Sequence, residues 1–190
     1  MAVTGQMTLA EFMRLPEVKP ARELWHGVIS QKMAPGGPHS ALQVELVKRL
    51  DGAGEPGRRL RIFTEARVLF EVDTLVPDLI AYREDRVPST EDGEVPPYFA
   101  DPPDIAIEVA SPGQTLGNLL QRCRDLVSLG VSYVVLLIPH PKARRTVYVF
   151  GPDGETGPLT GPDVVDLSDL ATGLRFTVDE IFSALRARPG

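Results

Sequence analysis

The chain reads as an α/β protein of α+β-like character, a mixed β-sheet flanked by helices. Three observations predict this. Residues 103–138 spell an apolar run stopped by Ser111-Pro112-Gly113, a helix pattern, Gly130, and a second apolar run from Tyr133 to Ile138. That is a strand, a helix and a strand, and the second strand is too apolar to face water. Shorter apolar runs alternate with turn-rich connections on both sides of this unit. Finally, 190 residues with no repeat, low-complexity tract or linker suit one domain spanning 1–190.

The elements follow in order. Thr8 to Glu11 is a capping box, with Phe12 and Leu15 as apolar anchors, so a short helix starts there and ends by Pro16 and Pro20. Leu24 to Met33 predicts two short strands around His26-Gly27. Pro35 to Pro38 is a loop, and a helix from His39 to about Leu50 carries Leu42, Leu46 and Leu50 on one face. After a turn-rich connection, Leu60 to Val72 suits a strand. Leu75 to Tyr82 suits another, with Pro77 marking an edge, a bulge or a strand start. Residues 83–102 read as a long surface loop. A helix from Thr115 to Leu129 has Leu116, Leu119, Leu120, Cys123 and Val127 as its apolar face. Asn118 and Arg122 are expected on the opposite side. Thr146 to Phe150 pairs with Tyr133 to Ile138 as a hairpin across 139–145. Residues 151–162 are read as loop, Val164 to Leu167 as a short strand, and Thr177 to Glu180 as a capping box opening the last helix.

Composition narrows the classes of function. The net charge of -6 argues against broad electrostatic adhesion to nucleic acid but allows a local basic groove. A single cysteine, Cys123, excludes a disulfide framework and a Cys-rich zinc site, and its place on the apolar helix face makes it a core residue. No secretory signal and no apolar run long enough for a membrane span is seen, so a cytoplasmic protein is expected. Aromatic residues are too few, at 6%, to predict a base-stacking platform. Walker-type glycine loops, G-x-S-x-G and H-E-x-x-H are missing.

Two acids stand out. Asp78 lies inside Leu75–Tyr82 and Glu108 inside the run Ile105–Val109. A carboxylate in an apolar strand is costly unless it is paired, hydrogen-bonded or bound to a cation. If the strands are neighbours the two would repel, and a divalent cation would remove the conflict. Each acid could instead cap a turn or pair with an arginine. Glu65, in F-T-E-A-R, is a possible third acid, or an exposed strand acid beside Arg67. His39 reads as a helix-start residue, His26 as surface, and Glu23 as structural. Arg58, Arg59 and Arg61, and Lys142, Arg144 and Arg145, are two small basic groups that could touch phosphates or remain solvated loop charges.

Pro77-Asp78 followed by Glu108 opening E-V-A-S-P resembles the PD-(D/E)XK nuclease superfamily. More closely, the chain is similar to the Uma-type family of restriction-endonuclease-like proteins. The shared marks are Glu23 to Gly27 (E-L-W-H-G), Met33 to Pro35 with His39 opening a helix, Val76 to Leu79 (V-P-D-L), Ile107 to Pro112 (I-E-V-A-S-P), the Gly130-Val131 turn, and L-A-T-G-L ahead of V-D-E-I-F. The resemblance implies a restriction-endonuclease-like fold and a metal-dependent DNA endonuclease. Asp78 and Glu108 would bind Mg²⁺ or Mn²⁺, Glu65 would be a further candidate ligand, and a homodimer is possible. The superfamily lysine, two residues after the second acid, is replaced by Ala110. Relatives supply it from the next helix, where this chain has Asn118, Arg122 and Leu126. Arg122 would then offer charge to the scissile phosphate or stay a solvated helix residue; its fork cannot lose a proton at neutral pH. The other reading of the same substitutions is a weakened or inactive nuclease fold that serves as a binding or assembly module.

Overall fold

Arg22–Trp25 (β1) and Val28–Gln31 (β2) form the hairpin expected around His26-Gly27. Both turn residues have positive φ, 50° and 75°, as a two-residue turn matched to strand twist requires. This computed structural model describes residues 7–139 and 145–187. Ahead of the hairpin, the Thr8 capping box opens a single helical turn, Leu9–Phe12 (α1).

Helix α2 spans Gly37–Leu50 and buries His39, Leu42, Leu46 and Leu50 along one stripe. The strand expected from Leu60 to Val72 is divided. Glu65 takes a φ of 50°, which a strand cannot continue, leaving Leu60–Thr64 (β3) and Val68–Leu69 (β4). The run from Leu75 to Tyr82 is also divided, at Pro77, into Thr74–Leu75 (β5) and Leu79–Arg83 (β6). Residues 83–102 are not purely surface. Phe99 is buried, bridges to Val68 and stacks on Tyr82 with ring centroids 5.2 Å apart.

The central unit forms as expected: Ile105–Val109 (β7), Leu116–Ser128 (α3) and Tyr133–Ile138 (β8). Strands β7 and β8 run parallel, which the α3 crossover permits. Thr146–Gly151 (β9) returns antiparallel to β8. The expected loop at 151–162 is instead occupied by Gly154–Leu159 (β10), paired to β9 with a register shift between Thr156 and Leu159. It is an exposed edge strand, so no apolar alternation announced it. Val164–Asp166 (β11) pairs with Arg175–Thr177 (β12), and the second capping box opens Val178–Phe182 (α4).

The main sheet has the order β10-β9-β8-β7-β6-β3, and a second sheet has the order β2-β1-β5-β4. Alternate residues of β7 feed two cores. Ile105, Ile107 and Val109 pack with Leu42, Leu46 and Leu50 of α2; Ala106 packs with Leu119, Cys123 and Leu126 of α3. A mixed sheet flanked by helices is therefore the architecture. Among the described residues, no helix is long and apolar enough to cross a membrane.

Candidate functional site

Three acids meet at one level of the sheet. In the antiparallel β6–β7 pair, Leu79 faces Ile107, so one further step of the same register sets Asp78 against Glu108. On the other side, the Glu65 amide donates to the Asp78 carbonyl at 3.2 Å, extending the β3–β6 ladder by one rung. Glu65 at the end of β3, Asp78 just before β6 and Glu108 within β7 thus lie side by side. All three line one cavity of about 340 Å³, together with Glu23, Lys32, His39 and Arg122. The structure brings Asp78, Glu108, Glu65 and Arg122 to one cavity.

Asp78 is buried and accepts from several sides. Its Oδ2 accepts the Val109 amide at 2.7 Å, and its Oδ1 accepts from Lys32 Nζ at 2.6 Å. His39 Nε2 stands 3.3 Å from Oδ2. Burial alone would raise its carboxyl, but the His39 ring and the Lys32 ammonium outweigh this and hold it below the usual carboxylate range. Glu65 is more exposed; its Oε1 accepts from Gln43 Nε2 at 3.1 Å and its Oε2 lies 3.3 Å from Lys32 Nζ. Ligand atoms of His39, Glu65 and Asp78 all fall within 4.8 Å of one another.

Glu108 is buried within β7. Burial pushes its carboxyl up to about 7, against the opposing pull of Arg122. Arg122 donates from Nε to Glu108 Oε1 at 2.8 Å, and from Nη2 and Nη1 to the two oxygens of Glu23 at 2.8 and 3.1 Å. Glu23 in turn accepts the Val76 amide at 2.7 Å, two residues before Asp78. Arg122 is therefore not on the side opposite the apolar face. It projects with Leu119 and Leu126, three and four residues away, toward the sheet, and Leu116, expected on that face, is 45% exposed. Nor is it a solvated helix charge, because its fork is spent on two buried carboxylates. Burial would lower the guanidinium, and those two acids reverse this and raise it.

Two site residues were missed or read otherwise from the sequence. His39 opens α2 but is only 9% exposed, and neither ring nitrogen has a hydrogen-bond partner among the described residues. Its place three residues before Leu42 and seven before Leu46 was the available signal. Lys32 was not singled out. Its ammonium is held by Asp78, by the Val76 carbonyl at 2.7 Å and by Glu65. Burial would lower it, and Glu108, Asp78 and Glu65 together raise it instead. Its partners lie more than 30 residues away, so no local pattern could reveal them.

The cavity is lined by four carboxyl groups, Glu23, Glu65, Asp78 and Glu108, against two cations, Lys32 and Arg122. Other sequence expectations lie elsewhere. Arg58, Arg59 and Arg61 sit at the opposite end of β3 from Glu65. Lys142 and Arg144 lie outside the described residues, while Arg145 donates to the Phe182 carbonyl at 3.3 Å. His26 is on the surface, as expected, and its amide donates to Asp73 Oδ1 at 2.7 Å.

Residues 9–179 match the model of the family Uma2, described as "Putative restriction endonuclease". The chain belongs to the Uma2 family. Among solved structures, the Uma2 chain is similar to one titled a putative nuclease belonging to DUF820 from Anabaena variabilis. The two are 34% identical, with a TM-score of 0.85, over 95% of this chain and 99% of that one. No curated protein matches.

Proposed function

We propose that this chain is a divalent-metal-dependent endonuclease that hydrolyses phosphodiester bonds in DNA. The observation that carries the reading is the convergence of Glu65, at the end of β3, Asp78, just before β6, and Glu108 of β7 on one cavity in which carboxyl groups outnumber cations. Membership of the Uma2 family and the likeness to a nuclease-titled structure support it.

The residues present fit a Mg²⁺ or Mn²⁺ ion. The two carboxylates suit either ion and the imidazole favours Mn²⁺; buried His39 makes no hydrogen bond among the described residues, its Nε2 resting 3.3 Å from Asp78 Oδ2. Asp78, Glu65 and His39 would hold it, with Glu108 beside them on β7. When bound, such an ion polarises a phosphoryl oxygen and lowers the pKa of a bound water. The protein's own part is positional. Val109 fixes one oxygen of Asp78 through its amide, and Arg122 fixes the Glu108 carboxylate from α3. Glu23 ties Arg122 to the Val76–Asp78 segment, so the acids from β6 and β7 keep their spacing. The test is nicking of supercoiled plasmid with Mg²⁺ or Mn²⁺ by wild type and by Asp78→Ala. Cleavage in the wild type and none in the variant is expected; equal cleavage in both contradicts the reading.

One observation favours a second reading, a nuclease fold that binds without cutting. The guanidinium at the position where relatives carry the lysine is committed to Glu108 and Glu23, and Ala110 offers no cation. Clean preparations of wild type that nick, with activity lost in Glu108→Ala, would remove this alternative.

A further inference from the structure

Lys32 follows directly after β2 and points its ammonium into the acidic cavity, where the side chain is only 13% exposed. An ammonium has three N–H donors. Here it donates to Asp78 Oδ1 at 2.6 Å and to the Val76 carbonyl at 2.7 Å, and Glu65 Oε2 stands 3.3 Å away as an ion-pair partner. Two carboxylates and a backbone carbonyl are also the oxygens that a hard divalent ion selects. Asp78 and Glu65 are, moreover, two of the three residues whose ligand atoms cluster within 4.8 Å. The third, His39, adds an independent sign of a missing partner. It is buried and makes no hydrogen bond at either nitrogen among the described residues, its Nε2 only resting 3.3 Å from the other oxygen of Asp78.

We propose that Lys32 is a tethered cation that occupies part of the divalent-ion position formed by Asp78, Glu65 and His39, so that an ion enters only as the ammonium withdraws. This rests on the metal-dependent reading above. It explains how the acids coexist at one level of the sheet before an ion arrives, since like charges so close need a counter-cation. Four methylenes of flexible stem let the head move while β2 stays in place. The ion and the ammonium compete for Asp78 Oδ1, so Lys32 lowers metal affinity while it steadies the metal-free fold. Removing it frees those oxygens and leaves Arg122 to face the four acids that line the cavity.

The experiment is calorimetric titration of Mn²⁺ into wild type and Lys32→Met, which keeps an unbranched stem without the charge. The dissociation constant is expected to fall by roughly tenfold or more in the variant, the scale of one relieved charge competitor. An equal or weaker affinity, with the wild type binding, overturns the role of Lys32 and leaves the metal reading standing. If neither chain takes up Mn²⁺, both fall. A second measurement keeps the test open should Lys32→Met not fold. The chain has four lysines, so their side-chain ammonium signals are easily assigned by NMR. In the wild type, saturating Mg²⁺ is expected to shift or exchange-broaden the Lys32 signal selectively. An unmoved Lys32 signal at saturation overturns the proposal.

Discussion

Asp78 accepts the amide of Val109, the residue after Glu108, through Oδ2 at 2.7 Å. This single bond ties the acid that precedes β6 to the backbone of β7 and explains why the two carboxylates cannot drift apart. It also uses an oxygen of Asp78 that would otherwise be buried without a donor.

Replacement of Asp78 by Ala therefore has a structural cost apart from any loss of activity. The Val109 amide loses its acceptor and the Lys32 ammonium loses its closest partner. Breaking a largely buried ion pair from one side costs about 3 kcal/mol. Urea denaturation of the metal-free protein is expected to show a loss of that order, with Asp78→Asn milder because it can still accept from Val109.

Glu23, expected from the sequence to be structural, holds two elements together. Glu23→Ala leaves Arg122 with one carboxylate and the Val76 amide with none, and about 2–4 kcal/mol of stability should be lost. Glu23→Gln retains an acceptor for the amide and should lose less. Chemical denaturation of both variants checks the ranking.

Acidity gives a third prediction. The Glu108 carboxyl sits at about 7 in the fold against an ordinary 4.5, so folding takes up a proton between those values. Its contribution to stability is complete below 4.5 and is lost as the pH rises through about 7. Asp78 acts in the opposite sense. Held below its ordinary 3.8, it contributes above that value and loses its contribution only on stronger acidification. Metal-free wild type should therefore lose stability, relative to Glu108→Gln, as the pH is raised from 4.5 through about 7. Denaturation midpoints of both proteins across that range provide the check; a difference that grows in the other direction contradicts it.

Cys123 is fully buried on α3, and burial first, then the Glu108 charge, pushes its thiol well above the ordinary value. The native protein should resist a thiol reagent such as dithionitrobenzoate, and react with one equivalent once unfolded in guanidinium. Fast reaction of the native chain would show that α3 does not pack as described.

The parts legible in the sequence are those where neighbours along the chain carry the signal. Ile105–Val109 and Tyr133–Ile138 are apolar because both faces of their strands are covered, and Thr8 and Thr177 announce their helices through capping boxes. Asp78 and Glu108 were legible for the complementary reason, as charges where burial penalises them. What was hidden depends on distant partners. Gly154–Leu159 is an exposed edge strand that draws its order from β9. Lys32 looks like any polar residue after a strand until Asp78, 46 residues later, is folded onto it. Arg122 faces the sheet because the buried stripe of α3 does not pass through Leu116, which is exposed. A stripe through Leu119, Cys123 and Leu126 includes position 122 and would have turned the guanidinium inward.

The most direct measurement of the central claim is a crystal of the protein soaked in Mn²⁺, with anomalous scattering used to find the ion. The account predicts a manganese peak in the cavity, in bonding contact with Asp78 and with at least one of Glu65, His39 and Glu108. Fully occupied manganese elsewhere on the molecule, with the Lys32 ammonium still seated on Asp78 and no peak in the cavity, would contradict it.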